Sequence, residues 1–305
     1  MHGLLIIDKP QGLTSHDVVR RVRRFFRTKR VGHTGTLDPM ATGILPVAIG
    51  EGTKLVQFLM AGTKSYRATL KLGETTDTYD AEGTVLQRRP LPLLASADIV
   101  RCCQKFIGNI QQTPPMFSAI KKNGVPLHQL ARQGIEVERE ARNVEISRIE
   151  VLDVSLPYVT LEVDCGKGTY IRSLAHDLGE ELGTGAHLTA LRRTRNGFFD
   201  EADAVPLDRL ETSVVADIPL LSPLEAMRGF ALLQVSSEAA RALKFGIPPV
   251  LDAIEGPCSI AEGDTAGLVQ GGRLLAVVRF APGRQKERRG DFELLRVMIP
   301  GDKDD

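Results

Sequence analysis

The chain has 305 residues, of which 42% are hydrophobic and 25% charged, and its formal net charge is +1. This ordinary globular composition fits one large domain with an appendage, or two domains, and it can form a sizeable core. The N-terminal MHGLLIIDKP has too short an apolar run for a signal peptide or a membrane span. The four cysteines have no CxxC spacing and the six histidines complete no zinc spacing. We therefore expect a reduced, cytoplasmic protein without a metal.

The first predicted helix follows a Pro-Gly turn and carries a dense positive charge. Thr14 and Asp17 have the spacing of a capping box, and apolar residues then recur from Val18 at helical spacing. Residues 20–30, RRVRRFFRTKR, hold seven positive charges and no acid. Because like charges this dense repel one another, an unpaired cluster favours an anionic partner, whereas a solvated helix face is the alternative. The candidate contacts to an RNA backbone in this block are Arg20, Arg23, Arg24 and Arg27.

The next segment, GHTGTLDPMATG, isolates one carboxylate in a glycine-rich loop. Asp38 is the only acid between Val18 and Gly50. The loop lacks the Gly-Lys-Ser/Thr ending of a P-loop and the GxGxxG spacing, so it is either a tight structural turn or the holder of a functional carboxylate. Positive charge nearby should favour the anionic form of Asp38, which suits a nucleophile or an electrostatic stabiliser. The motif has no second carboxylate, which argues against glycoside hydrolysis by two acids.

Alternating and helical patterns follow in the middle of the chain. A helix is predicted around residues 53–61, and SYRATLKLG and YVTLEVDC alternate as half-buried strands. YIRSLAHDLGEEL has a helical apolar stripe, which places Tyr170 and Arg172 at a strand-to-helix junction. A helix start disfavours cations, so Arg172 is better explained by an anionic partner.

Two further regions differ from this core. Residues 111–142 are polar, basic and interrupted by Pro and Gly, as expected of a projecting insertion. The segment from about residue 231 has short strands separated by turns, which indicates a small β-rich domain. The irregular order of strands and helices favours an α+β fold.

These motifs resemble those of the TruB family, bacterial synthases that form pseudouridine at position 55 of tRNA. The resemblance rests on GLLIIDKPQGLTSHDVV, GHTGTLDPMATG, SYRATLKLG, CGKGTYIRSLAHDLG and HLTALRRTRNGFF, in that order. It implies a pseudouridine-synthase fold, with a mixed, mainly antiparallel sheet flanked by helices. It also implies a catalytic domain over residues 1–230 with an RNA-gripping thumb at about 111–142. A PUA-like RNA-binding domain would span residues 231–305.

The resemblance also implies the catalytic residues. Asp38 corresponds to the aspartate that attacks the target nucleotide, and Arg172 to the arginine that pairs with it. Tyr66 corresponds to the tyrosine that stacks on the target uracil and takes part in proton transfer. With Arg172 beside it in a dry site, Asp38 should stay ionised, and the lack of a second acid should leave Arg172 to Asp38 alone.

Further residues are implied in substrate binding, together with Tyr66. His33 would fill the gap left by the flipped base, Tyr170 and Leu191 would line the pocket, and Lys9 belongs to a motif that supports its wall. Lys121 in the thumb is a candidate backbone contact. A uridine in a folded loop must be extruded before it can react, which agrees with these roles.

Isomerisation of uridine breaks the N1–C1′ bond and makes a C5–C1′ bond without redox change, so no cofactor is expected. Asp38 could add to the base or assist departure of the uracil from C1′. A tRNA-folding chaperone is a second hypothesis, compatible with the first, and a DNA- or nucleotide-binding regulator is disfavoured because no recognition helix is evident. We expect a monomer acting on tRNA without membrane, guide RNA or protein partner.

Overall fold

A computed structural model describes residues 1–283 and 290–298. The helices are α1 (Ser15–Phe25), α2 (Val56–Leu59), α3 (Ser96–Gln104), α4 (Leu127–Arg132), α5 (Ile171–Glu181), α6 (Arg209–Thr212), α7 (Pro223–Ala226) and α8 (Ser237–Leu243). The strands of the first 230 residues are β1 (Gly3–Lys9), β2 (Val31–His33), β3 (Thr42–Ile49), β4 (Lys64–Leu72), β5 (Glu74–Thr76), β6 (Val85–Arg88), β7 (Gly108–Gln112), β8 (Lys121–Lys122), β9 (Val125–Pro126), β10 (Arg142–Ser155), β11 (Tyr158–Cys165), β12 (Ala186–Asn196), β13 (Phe199–Asp200) and β14 (Val205–Pro206). They are followed by β15 (Ala231–Val235), β16 (Ile254–Glu255), β17 (Thr265–Gln270), β18 (Arg273–Phe280) and β19 (Phe292–Val297).

The larger sheet has ten strands and a mixed, mainly antiparallel arrangement. Its order is β14-β1-β3-β12-β4-β11-β10-β7, with β13 beside β12 and β2 beside β3. Only the β1–β14 and β3–β12 pairs within this sheet are parallel. The prediction of an α+β fold with such a sheet is confirmed. In the part of the chain that the structure describes, no helix combines the length and apolar character needed to cross a membrane.

The LLII run of β1 is buried on both faces of this sheet. Leu5 and Ile7 pack in the core that also contains α1 and α5 residues, whereas Leu4 and Ile6 point to a second apolar cluster on the opposite face. Burial of both faces explains why the strand is continuously apolar and does not alternate. The second cluster also contains Val277 of β18, so the C-terminal sheet packs against the back of the larger sheet.

The predicted elements around the loop form where expected. Helix α1 begins after the capping box of Thr14 and Asp17, and its valines are buried. In β4, Tyr66 and Ala68 are buried and Arg67 is exposed, which confirms the predicted alternation. The predicted helix at 53–61 is a 3₁₀ turn, Gly50–Leu55, that continues into α2.

The insertion is bounded by strands of the larger sheet. Its predicted limits, 111–142, include the end of β7 and the first residue of β10, which pair with each other, so the segment outside the sheet is shorter. It contains the small β8–β9 hairpin and α4. The C-terminal sheet has the order β16-β15-β17-β18-β19, which confirms the predicted β-rich unit.

Candidate active site

The loop between β2 and β3 holds Asp38 and is pinned by the N-terminal segment. The Ser15 hydroxyl accepts a hydrogen bond from Leu37 N at 2.8 Å and donates one to Leu37 O at 3.0 Å. Gly43, the second residue of β3, has φ of 97°, and a Cβ there would lie 2.3 Å from Arg193 O. A side chain at this position would therefore displace β3 from β12, which explains the glycine.

Lys9 also holds this loop in place. Its side chain is fully buried, and its Nζ donates to the carbonyl oxygens of Pro10 at 2.9 Å, Leu13 at 2.7 Å and Pro39 at 3.3 Å. Burial lowers the pKa of Lys9 to about 8, against the opposing effect of Asp38. These contacts join the end of β1 to the residue that follows Asp38, which agrees with the implied role of Lys9 in the site wall.

Arg172 and Asp38 form an ion pair. Arg172 Nε lies 2.9 Å from Asp38 Oδ2, and the arginine side chain is 5% exposed whereas that of the aspartate is 34% exposed. The contact is at ion-pair distance without the alignment of a hydrogen bond. Arg172 also donates to the carbonyl oxygens of Thr78 at 3.1 Å and Phe117 at 2.8 Å. The arginine is thus buried and held in place, whereas the carboxylate of its partner is partly exposed to solvent.

Asp80 is a second acid at this arginine, and the expectation that Arg172 serves Asp38 alone is wrong. Asp80 Oδ2 lies 3.4 Å from Arg172 Nη1, and its side chain is 5% exposed. Asp80 comes from the TTDTYDAEG segment between β5 and β6, far from Asp38 in sequence. Sequence reasoning missed it because the surrounding acids and threonines are typical of an ordinary polar turn.

The ionisation of Asp38 also differs from expectation. Burial raises the pKa of the Asp38 carboxyl, Arg172 opposes this increase, and Asp80 adds to it. The predicted effect of nearby positive charge is present, since Arg172 and Lys9 lower this pKa, but the net shift is upward and the expected net direction is wrong. The cause is that the loop lies in a cleft, where desolvation of the charged form outweighs one shared arginine.

Tyr66 lies in the core beneath the loop, with Arg193 at its hydroxyl. Tyr66 is 9% exposed, and burial raises the pKa of its phenol while a hydrogen bond from Arg193 opposes that increase. Arg193 is 1% exposed and donates to Ile44 O at 2.7 Å and to Gly35 O at 3.2 Å. It therefore connects the tyrosine to both ends of the loop. Sequence reasoning missed Arg193, although strand alternation from Leu191 places it on the buried face of β12.

Tyr170 and Leu191 are two further residues that the resemblance implies in the pocket. Burial raises the pKa of the Tyr170 phenol. The Tyr170 backbone is held by the Gln112 side chain, which accepts from its N–H at 2.8 Å and donates to its carbonyl at 3.1 Å. Leu191 is 8% exposed and lies in the same buried cluster as Tyr66. Tyr66, Tyr170 and Leu191 thus come from three separate elements, which are β4, the start of α5 and β12.

His33 lies at the end of β2, on the approach to the loop. Its Nδ1 accepts from Gly35 N at 3.2 Å, and its ring meets that of His16 edge-on at 5.8 Å. Burial lowers the pKa of His33, and His16 and Arg193 lower it further. A neutral, half-buried ring is compatible with stacking in place of a base.

The predicted basic block, residues 20–30, is partly paired with acids. Arg20 forms an ion pair with Asp17, so it does not belong to an unpaired cluster. Arg23, Arg24 and Arg27 line a shallow surface cleft of about 490 Å³ together with Thr28 and Lys29. Lys121 is exposed on the β8–β9 hairpin of the insertion. The predicted backbone contacts therefore fall into three groups. Arg23, Arg24 and Arg27 line the cleft, Arg20 is paired with an acid, and Lys121 lies in the insertion.

The fold matches solved structures over nearly the whole chain. The chain superposes with a TM-score of 0.75 and 28% identity on a chain of the Cbf5-Nop10-Gar1 complex, covering 98% of this chain and 85% of that one. A chain of the archaeal box H/ACA sRNP Nop10-Cbf5 complex gives a TM-score of 0.74 and 26% identity, with 98% and 87% covered.

Family models identify the class of enzyme. Residues 23–171 match the N-terminal domain of the TruB family of pseudouridylate synthases, and residues 172–227 match the C-terminal domain of tRNA pseudouridylate synthase B. The fold is accordingly that of a pseudouridylate synthase. The chain belongs to the TruB family, which confirms the resemblance found in the sequence.

Relatives named tRNA pseudouridine synthase B match most or nearly all of the chain. That of Syntrophotalea carbinolica is 48% identical, with 99% of each chain covered. That of Geobacter sulfurreducens is 45% identical, with 98% of this chain and 100% of the relative covered. That of Haemophilus influenzae is 46% identical over 80% of each chain.

Proposed function

We propose that this protein isomerises uridine 55 in the T loop of tRNA to pseudouridine. The observation that carries the proposal is the ion pair of Arg172 with Asp38 on a loop that is otherwise free of acids. The family membership supports the reaction, and the relatives' names support tRNA as the substrate. The reaction is an isomerisation, so every atom of the uridine is retained.

In this proposal the target uridine is flipped into the cleft, and His33 replaces it in the stack. The uracil lies on the Tyr66 ring, bounded by Tyr170 and Leu191. Asp38 then attacks, either at the base or at C1′, the N1–C1′ bond breaks, the uracil reattaches through C5, and the bond to Asp38 breaks to regenerate the carboxylate. The C5 proton is lost and N1 gains a proton, and the Tyr66 hydroxyl is the candidate for relaying this proton transfer. Exclusion of water by the base strengthens the interaction of Arg172 with Asp38.

The proposed route requires Asp38 in its carboxylate form. Since burial raises its pKa, the carboxylate is a stronger base and nucleophile than an exposed aspartate. Arg172 limits this increase, and Lys9 adds a second positive charge nearby. The two positive charges thus favour the carboxylate form of Asp38, whereas burial keeps this carboxylate more basic than an exposed one.

The proposed binding of the tRNA uses surfaces outside the pocket. Residues 1–230 would form the catalytic domain, the insertion near 111–142 would grip the T arm with Lys121, and residues 231–305 would add a PUA-like RNA-binding domain. Arg23, Arg24 and Arg27 in the cleft of α1 are candidate phosphate contacts, because no acid pairs with them among the described residues. The proposed enzyme is a cytoplasmic monomer that needs no cofactor. It acts without guide RNA, as the full-length match to tRNA pseudouridine synthase B relatives supports.

The substitution Asp38→Asn tests this function, since it keeps the shape of the side chain and removes its charge. Pseudouridine formation should be abolished while tRNA affinity stays within about tenfold, roughly 1.4 kcal/mol. Full activity in the variant would refute the role of Asp38. The same variant tests the chaperone hypothesis, which the basic cleft supports: if Asp38→Asn still accelerates tRNA refolding, the second role is real.

A further inference from the structure

Arg172, at the start of α5, holds the turn that carries Asp80 through one backbone contact and one side-chain contact. Arg172 Nη1 donates to Thr78 O at 3.1 Å and lies 3.4 Å from the Asp80 carboxylate. The other side of the turn is fixed to β12, where Leu188 N donates to Tyr79 O at 3.0 Å and Ala81 N donates to Leu188 O at 2.9 Å. The position of Asp80 relative to Arg172 therefore depends on this turn.

The middle residue of the turn has an unusual backbone conformation. Tyr79 has φ of 62°, in the left-handed region that bulky residues rarely occupy. Glycine would adopt this φ without a steric penalty, yet the chain has a tyrosine there. Strain of this kind persists where surrounding contacts compensate for it, and it is a reason to look for a function.

The compensating contact is an aromatic stack on α5. The rings of Tyr79 and His176 lie 4.0 Å apart between centroids, with an interplanar angle of 10°. His176 is four residues after Arg172, so both side chains project from the same face of the helix. Thr78, Tyr79 and Asp80 consequently contact two adjacent turns of α5, and Tyr79 stands in sequence between the two residues that contact Arg172.

We propose that Tyr79 and His176 are positioning residues whose stacked rings hold Asp80 against Arg172 and thereby orient the arginine towards Asp38. The inference rests on the proposed function of Asp38. The stack acts through ring surface, since His176 Nδ1 is buried and makes no hydrogen bond within the described part of the chain. The imidazole can accordingly be replaced by another flat ring, and the Tyr79 hydroxyl is dispensable.

The test compares Tyr79→Gly with Tyr79→Phe in single-turnover assays on an unmodified tRNA transcript. Glycine accepts the backbone conformation but removes the ring, whereas phenylalanine keeps both the ring and the strain. We expect Tyr79→Gly to lower the rate at saturating tRNA about tenfold, which corresponds to about 1.4 kcal/mol. The dissociation constant for tRNA should not change, and Tyr79→Phe should react at the wild-type rate. His176→Phe should likewise keep the rate and His176→Ala should lose it.

A double-mutant cycle shows whether the stack acts through Asp80. In the Asp80→Asn background, Tyr79→Gly should cause little additional loss, because the contact that it supports is already weakened. The proposal is overturned if Tyr79→Gly reacts as fast as the wild type, if Tyr79→Phe loses as much as Tyr79→Gly, or if the two losses are additive.

Amide hydrogen exchange separates failure of this inference from failure of the proposed function. If the wild-type protein forms no pseudouridine, the proposed function fails, and the positioning role is then judged on structure alone. The Ala81 and Leu188 amides should exchange faster in Tyr79→Gly than in Tyr79→Phe, because the turn that they hold loses its support. Equal exchange in the two variants would overturn the inference independently of catalysis.

Discussion

Replacement of Arg172 by methionine should show how strongly the site depends on this one cation. The substitution keeps a long side chain but removes the partner of two carboxylates, Asp38 and Asp80, and the donor to two carbonyl groups. Removing one partner of a buried ion pair costs about 3–5 kcal/mol, because it leaves uncompensated charge in a medium of low dielectric. Arg172 is 5% exposed, so little of this loss is screened by water. We expect a decrease of that size in the free energy of unfolding at neutral pH.

The decrease should depend on pH in a defined direction. Without the arginine, the pKa of the Asp38 carboxyl rises further above its unfolded value, so at a pH between these two values the folded variant binds more protons than the unfolded one. The part of the destabilisation that comes from the uncompensated charge is then full above the raised folded pKa and disappears as the pH falls below the unfolded pKa, about 4, whereas the part from the two lost carbonyl contacts remains. Urea denaturation at several pH values measures it.

Two controls make the result specific. Arg192→Met removes an arginine that is 32% exposed and pairs with Asp8 and Glu201, and it should cost about 1 kcal/mol or less. Adding Asp80→Asn to Arg172→Met should restore part of the stability, because one of the two uncompensated charges is removed. Equal losses in the two single variants, or a loss from Arg172→Met that does not change with pH, would refute the reasoning.

Two further predictions concern the pH dependence and the basic cleft. Since the pKa of Asp38 is raised above 3.8, the single-turnover rate should fall as the pH decreases through a value above the ordinary aspartate range, and a rate that is constant down to pH 3.8 would contradict this. The double substitution of Arg24 and Arg27 by Gln should reduce the slope of log K against log salt for tRNA binding by about 1.5–2, whereas the acid-paired Arg20→Gln should leave it nearly unchanged. An unchanged slope in the double variant would identify the cleft as a solvated helix face.

Much of the fold and part of the site were predictable because they depend on local periodicity. The capping box of α1 and the alternation of β4 need only neighbouring residues, and they form as expected. The Arg172–Asp38 pair was predictable through the family resemblance, since the residues are far apart in sequence. The helix-dipole argument had independently indicated an anionic partner for this arginine.

What could not be predicted depends on contacts between distant segments. Asp80 reaches Arg172 only because the turn after β5 docks on β12, a pairing that nothing in TTDTYDAEG specifies. The pKa of Asp38 is raised because its carboxyl is buried in the cleft, and a count of nearby charges in the sequence does not show how buried a residue is. Strand alternation predicts that Arg193 is buried. The residue was overlooked because buried arginines are rare, and its described contacts are two carbonyl oxygens and a phenol.

The most direct test of the central claim is to map pseudouridine in one unmodified tRNA transcript after incubation with the purified protein. The account predicts a single new pseudouridine, at position 55 of the T loop, formed by the wild-type protein and absent after incubation with Asp38→Asn. No pseudouridine at position 55 with the wild-type protein, or the same product with the variant, would contradict it.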